Sequence, residues 1–294
     1  MAATVIIEKL LKSKSVVDAF YDVNDYKQTY KNYIRLIHPD ICNLPNAKEA
    51  TEILNRFRDE LESGKKHNDD AGIVTYYLKT VEIVGDKNLL KKSFDNYNLL
   101  MSLKDDASNH FKKYLPVSAK MPSENELVFT LSFRAVPLSS LGVVEQKHAN
   151  WMLSRMFEFT GWMNQIAYSH AGINPDSIYI MPENHGMVCI SFYHLTKLSG
   201  PVKTVSAKYK NFYPPQLFNN KKADSNIDIE LSKKTAVYLL GDKSGSGVVL
   251  RKTHENEIID FLQKQNYDTA ENYSEYRSLL KKHFDTKEFH ILNV

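Results

Sequence analysis

His170-Ala-Gly-Ile-Asn-Pro-Asp-Ser-Ile-Tyr-Ile180, then Met181-Pro-Glu-Asn-His-Gly186, then Met187-Val-Cys-Ile-Ser-Phe-Tyr193 is the stretch that decides the fold. A loop with a central proline, Pro175, runs into a short apolar strand, Ser177 to Ile180. A polar turn around Asn184 and Gly186 leads into a second apolar strand, Met187 to Phe192. Two short apolar runs joined by a turn carrying Pro and Gly predict a β-hairpin.

Without gaps, this stretch resembles the catalytic and magnesium loops of the protein-kinase family, written H-R-D-L-K-P-E-N-I-L-I and, one hairpin later, D-F-G. His170, Pro175, Ile178, Ile180 and Phe192 match. Gly172 stands where the family has its base Asp, Asn174 where it has Lys, and Ser177 where it has the metal-binding Asn. Ser191 replaces the magnesium Asp and Tyr193 the glycine. Phosphoryl transfer rests on positioning plus stabilisation of charge by metal and lysine. The resemblance therefore implies the scaffold without the chemistry: no catalytic residue, no metal and no cofactor.

The flanks fit the same expectation. Ala71-Gly72 opens the region, and Ile73 to Val84 alternates as a strand, with Val74, Tyr76 and Leu78 against Val81 and Ile83. Gly85-Asp86 turns into a helix, Lys87 to Leu103, with Leu90, Phe94, Tyr97 and Met101 on one stripe. Further strands are predicted at Phe111–Val117 and Leu127–Phe133. Strand, helix, strand, strand resembles a shortened kinase small lobe over residues 71–136. Gly72 is the lone glycine where a phosphate-covering loop would lie, and no strand lysine precedes the helix; Lys79, the nearest, reads as a surface residue.

Pro137 to Gly142 reads as the hinge, and residues 143–294 as the large lobe. His148 to Tyr168 predicts a long helix whose Met152, Met156, Phe159, Met163 and Ile166 form a core stripe. Tyr213-Pro214-Pro215-Gln216 falls where the family writes A-P-E. Asp228 opens an apolar helix, Ile229 to Leu240, resembling the central large-lobe helix whose leading Asp braces the catalytic loop. Asp242 to Gly247, D-K-S-G-S-G, lacks the preceding strand and G-K-[ST] ending of a phosphate loop. Two last helices are predicted over 255–264 and 274–284.

The N-terminal region has a different character. Asp25 to Ile37 carries Tyr26, Tyr30, Tyr33 and Ile37 on one helical face and Lys27, Lys31 and Arg35 at four-residue steps on another. Asp25 is positioned as N-cap or first-turn residue. His38-Pro39-Asp40 ends the helix, because Pro disfavours helical geometry in the residue before it. Pro45 is placed to start a second helix, with Ala47, Ala50, Leu54, Phe57 and Leu61 at helical spacing. Two such helices predict an antiparallel hairpin.

An H-P-D tripeptide after a basic-faced helix resembles a J domain, the DnaK-stimulating module of the DnaJ cochaperone family, here over residues 1–63. The resemblance implies that His38, Pro39 and Asp40, with Lys27, Lys31 and Arg35, contact a DnaK-type chaperone. Cations on one rigid face would meet an acidic partner, raising association rate and specificity. A helical hairpin that merely packs on the rest is the alternative. Ser63 to Asp70, S-G-K-K-H-N-D-D, is polar and unpatterned and reads as a linker, residues 64–70.

Composition bounds the function. A net charge of +3 over 294 residues argues against a nucleic-acid partner. Two cysteines, Cys42 and Cys189, give no metal or disulfide framework. No signal pattern or membrane-length apolar run is present in the sequence, so a cytoplasmic protein with no membrane partner is expected. The expected fold class is α+β: a helical J-like hairpin followed by a bilobal kinase-like domain with a reduced small lobe. The expected function is that of a non-catalytic adaptor between a DnaK-type chaperone and a client. Two alternatives stay open. One is an atypical kinase or nucleotide-binding transferase using Asp176, Glu183, His170 and His185 as an unconventional metal site. The other is a scaffold, of bacteriophage origin, with no chaperone partner.

Overall fold

The computed structural model describes residues 2–20, 26–182, 184–284 and 292. Four helices come first: α1 (Ala3–Lys12), α2 (Val16–Phe20), α3 (Tyr26–Ile37) and α4 (Ala47–Ser63). Their buried faces follow the apolar spacing: Tyr33 and Ile37 from α3 meet Ala50, Leu54, Phe57 and Leu61 from α4, closed over by Ile6, Leu10 and Phe20. Polar bonds fix α3 and α4 as antiparallel. Thr51 Oγ1 donates to the Ile37 carbonyl at 3.2 Å, while seven residues earlier on α3 the Tyr30 hydroxyl donates to Asn55 Oδ1 at 2.8 Å. Arg58 donates to the same hydroxyl at 2.8 Å. The expected start at Pro45 is displaced: Asn46, with φ of 65°, is the residue before α4, which begins at Ala47. The N-cap assigned to Asp25 lies outside the described residues, and α2 carries too few residues to show a period in the sequence.

The stretch expected to be a linker is part of the sheet. After α4 a single residue, Gly64, leads into β1 (Lys65–Asn68), which pairs antiparallel with β2 (Gly72–Tyr77). A strand reading K-K-H-N has no apolar alternation, because it is an edge strand and its side chains are mostly in solvent. Ile73 to Val84 is likewise not one strand but a hairpin. β2 turns through Leu78-Lys79 into β3 (Thr80–Gly85), with Leu78 in the left-handed region and no glycine or asparagine to mark the turn. Helix α5 (Lys87–Ser102) follows, capped by the Asp86 side chain accepting from the amides of Asn88 and Leu89.

The predicted strand at 111–117 is replaced by the end of a short helix, α6 (Asp106–Phe111), and a single 3-10 turn. The strands themselves are β4 (Ser118–Ser123) and β5 (Glu126–Thr130). The sheet order β1-β2-β3-β5-β4 is antiparallel throughout, so the small lobe is not reduced: five strands and one long helix are present. Gly72 and Gly85 face each other across β2 and β3. A Cβ on Gly72 would come within 2.2 Å of the Val84 carbonyl, and one on Gly85 within 1.9 Å of the Ala71 carbonyl. Close backbone approach, not nucleotide contact, explains the lone glycine.

The chain then passes through β6 (Val136–Pro137) into α7 (Gln146–Gln165), β7 (Tyr168–Ser169) and the hairpin β8 (Ile178–Met181) and β9 (Gly186–Cys189). Strands β6, β8 and β9 form one small sheet, and β7 pairs with β10 (Thr196–Lys197). Helices α8 (Pro215–Asn220), α9 (Ser225–Leu239), α10 (Asn256–Gln263) and α11 (Thr269–His283) complete the body. Helix α9 is buried on almost every side, including Asp228, Glu230 and Lys233. Its N-cap is Asp224, which accepts from the amides of Asn226 and Ile227; Asp228 sits one turn in. One continuous core joins the five-stranded sheet to the helices beneath it. The N-terminal helices have a core of their own, touching the sheet at Tyr77 and Leu78. Among the described residues, no helix is long and apolar enough to cross a membrane.

Candidate functional site

The loop from His170 to Ser177 lies between the five-stranded sheet and α9, and its backbone is held from below. The Asp228 carboxylate accepts from the amides of His170 at 2.7 Å and Ala171 at 2.8 Å. Burial raises the Asp228 pKa to about 6 despite these bonds. His170 is fully buried; desolvation, then the nearby His194, lowers it to about 3, so its ring is a neutral partner for the Ile190 carbonyl at 3.1 Å. Asp228 and His170 thus act as backbone supports.

Asn174 and Ser177, which the kinase resemblance aligns with catalytic residues, serve here as fasteners. Asn174 Oδ1 accepts from the amides of Asp176 at 2.8 Å and Ser177 at 3.0 Å, while its Nδ2 donates to the Gly172 carbonyl at 3.0 Å. Ser177 Oγ donates to that same carbonyl at 2.6 Å. A turn stitched by Asn and Ser side chains is a local structural device. At Gly172, where the kinase family carries its base, there is no space for a carboxylate: a Cβ would come within 2.6 Å of the buried His194 ring.

Above this loop the β1–β2 turn, residues 69–71, closes the cleft. Asp69 Oδ1 caps the turn by accepting from the amides of Ala71 and Gly72 at 2.7 and 3.0 Å. Its Oδ2 accepts from Ser191 Oγ and the Tyr193 hydroxyl, both at 3.1 Å. Asp70 accepts from the Ala207 amide at 2.9 Å and lies 3.6 Å from His194 Nε2. Burial raises Asp69 above the usual carboxylate range. In Asp70 burial is outweighed by the neighbouring His194 and by hydrogen bonds from Ala207 and Ser206, which bring its pKa down. Ser191 itself holds φ 64°, ψ 44°, a left-handed conformation that costs a non-glycine residue about 1 kcal/mol or more. Phe192 packs among Tyr97, Phe129 and His170, and its carbonyl accepts from Asn96 of α5 at 2.8 Å.

Next to this clasp, the space between sheet and hairpin is filled by rings. Tyr76 from β2 meets Tyr179 from β8 edge-on at 5.9 Å, and His67 from β1 lies 6.0 and 6.3 Å from the two. Tyr179 is completely buried. The buried side chains of β3 are Val81 and Ile83, so no lysine of that strand faces inward; Lys79 is in the turn. Asp176 is buried and held by Lys208 at 2.6 Å and the Tyr209 hydroxyl at 3.0 Å. Tyr213 ties the segment before α8 to the loop, donating to the Ala171 carbonyl at 2.8 Å, while Pro214 and Pro215 form the start of α8. Three carboxylates, Asp69, Asp70 and Asp176, thus line a closed cleft beside one lysine. That is the wrong sign for a polyphosphate.

The unconventional metal set does not assemble among the described residues. His170 binds a backbone carbonyl, Asp176 binds Lys208, and His185 stacks on Trp151 at 4.2 Å; Glu183 lies outside the described residues. In the D-K-S-G-S-G loop, Ser244, Ser246 and Gly247 all donate to the Asp242 carboxylate, so the donors a phosphate would need point inward. The sequence signals for the cleft are D-D just before Ala71-Gly72 and a tyrosine inside the apolar I-Y-I strand.

On the N-terminal helices, Lys27, Lys31 and Arg35 are exposed on α3, and Pro39 and Asp40 project from the loop that follows it. His38 is half-buried; its Nδ1 accepts from the Asp40 amide at 3.2 Å and lies 3.5 Å from the Asp40 carboxylate.

No protein-family profile matches the chain, and no curated protein is similar to it in sequence. Many solved chains do share its fold. One is described as the structure of vaccinia related kinase 3, with a TM-score of 0.54 and 11% identity, covering 74% of this chain and 86% of that one. Identity that low speaks for fold alone. The chain has a protein-kinase-like fold.

Proposed function

We propose that this chain is a kinase-fold protein that works by binding and not by phosphoryl transfer, an adaptor whose N-terminal helices address a DnaK-type chaperone while the body holds a client. The observation that carries the first half is the clasp of Asp69 on Ser191 and Tyr193, the two positions that the kinase resemblance aligns with the magnesium loop. With Tyr76, Tyr179 and His67 filling the neighbouring space, nucleotide entry would require breaking the Asp69 hydrogen bonds and displacing packed rings. It would also place phosphate beside Asp69 and Asp70. A ligand that binds the folded state raises apparent stability by mass action. Titration with ATP plus magnesium or manganese is expected to leave the melting temperature unchanged. A saturable rise would overturn this reading in favour of a nucleotide-binding transferase.

The chaperone half is supported by half-buried His38 and exposed Pro39 and Asp40 beside three cations with no carboxylate partner among the described residues. Stimulation of a DnaK-type ATPase by the intact chain, abolished by His38→Gln, is the expected result. If His38→Gln stimulates as well as the wild type, the N-terminal helices serve some other purpose.

A further inference from the structure

Between Glu183 and Asp224, forty residues carry six lysines and not one aspartate or glutamate. The whole chain is only +3, so the rest of it is net negative. Of the six, Lys208 is occupied by Asp176, and Lys210 lies over the Phe218 ring at 5.4 Å. Lys197, Lys203, Lys221 and Lys222 are exposed and meet no carboxylate among the described residues.

The fold gathers these four. Residues 199–202 run antiparallel to 221–223: the Val202 amide donates to the Lys221 carbonyl at 2.9 Å, the Ala223 amide to Gly200 at 2.9 Å, and Pro201 bridges to Lys222. Gly200 in turn closes a tight turn back on the Lys197 carbonyl at 2.9 Å. Lys92 of α5 faces the same ground; burial, then repulsion from Lys203, lowers its pKa. Lysines collected by a rigid backbone without counter-charges repel one another, and an anionic ligand relieves that repulsion.

We propose that this surface docks an acidic segment of a partner protein, an extended stretch rich in Asp and Glu. The proposal rests on the reading of the body as a binding protein and names the chemistry of what it holds. A peptide fits better than nucleic acid for two reasons. Asp224 follows Lys222-Ala223 directly and Asp95 lies one turn along from Lys92, so the positive ground is short, whereas duplex binding engages a longer run of phosphates. Single strands stack on several free aromatic faces in succession, and here Tyr209, Phe212 and Tyr213 are buried, leaving exposed Phe218, over whose ring Lys210 already lies.

The test is fluorescence anisotropy on the full chain. The probes are a labelled Glu/Ser-repeat peptide, a Lys/Ser-repeat control, single- and double-stranded DNA, and phosphatidylserine vesicles. The acidic peptide is expected to bind at low ionic strength and to weaken on the order of 10-fold as salt screens the patch. Triple reversal Lys203→Glu, Lys221→Glu, Lys222→Glu should abolish binding with the melting temperature kept. Reversal of Lys27, Lys31 and Arg35 should leave binding intact. Should the triple variant not fold, Lys203→Gln with Lys222→Gln asks the same question with less repulsion. Unchanged peptide binding by the folded variant, tighter binding of DNA or vesicles, or no peptide binding by the wild type would each overturn the proposal. A wild type that binds neither peptide nor ATP sinks the docking surface while leaving the silent cleft standing.

Discussion

In the cleft, Asp69 lies against Ser191 and Tyr193, Asp176 against Lys208 and Tyr209, and Asn174 against its own turn. On the N-terminal helices, Lys27, Lys31, Arg35 and Asp40 stand in solvent; among the described residues the three cations meet no carboxylate, while Asp40 lies beside His38. The two regions carry similar residue types and put them to opposite uses. Where polar groups are turned inward and bonded to one another, they support the fold and are closed to a ligand. Left outward and unpaired, they contribute little to stability and remain open to a partner.

That contrast can be broken by truncation. Tyr179→Ala removes a fully buried ring from the centre of the cleft and is expected to cost ~3–5 kcal/mol in denaturant unfolding. A loss below ~1 kcal/mol would mean that the cleft is loosely filled and open to small molecules. Gly172→Asp, which restores the base carboxylate, should confer no phosphotransfer and should destabilise by ~2 kcal/mol, because the new side chain meets His194. Retained stability would show that His194 yields and that the site can be rebuilt.

A pH series sharpens the picture. The folded His170 titrates near 3, below its unfolded value, so its contribution is present above about pH 6.5 and is lost as pH falls. Asp228 titrates near 6, above its unfolded value, so its contribution is present below about pH 4 and is lost as pH rises. Between about pH 4 and 6 the two slopes oppose and nearly cancel. His170→Phe should uncover a stability that falls with rising pH there, and Asp228→Asn one that rises, each on the order of 1.4 kcal/mol per pH unit. Parallel slopes in both variants would contradict the assignment. The smallest effect is expected on the arm: Lys27→Ala, Lys31→Ala and Arg35→Ala should each change stability by less than ~0.5 kcal/mol.

Legibility from sequence tracks the range of the interactions. The β8–β9 hairpin, α5, α7, α9 and the α3–α4 pair could be read because their apolar spacing repeats within one element. β1 could not: Lys65–Asn68 owes its strand to pairing with β2, and a polar edge carries no alternation of its own. The uncharged residues at Gly172, Asn174, Ser177 and Ser191 can be read directly from the sequence against the kinase pattern they resemble. The contacts made across the cleft cannot, since Asp69 meets Ser191 and Tyr193 across more than a hundred residues of chain. His194 fills the space beside Gly172 from a segment with no motif of its own.

The junction at Gly64 leaves no slack between arm and body. Its φ is 54°, and a Cβ there would strike Thr75 Cγ2 at 2.4 Å, so the joint is tight as well as short. Helix α4, 17 residues and about 25 Å long, therefore works as a boom and not a leash. Anything gripping the tip near His38 applies torque to the edge strand, and two residues beyond that strand's inner side chain, His67, stands the aspartate that latches the cleft.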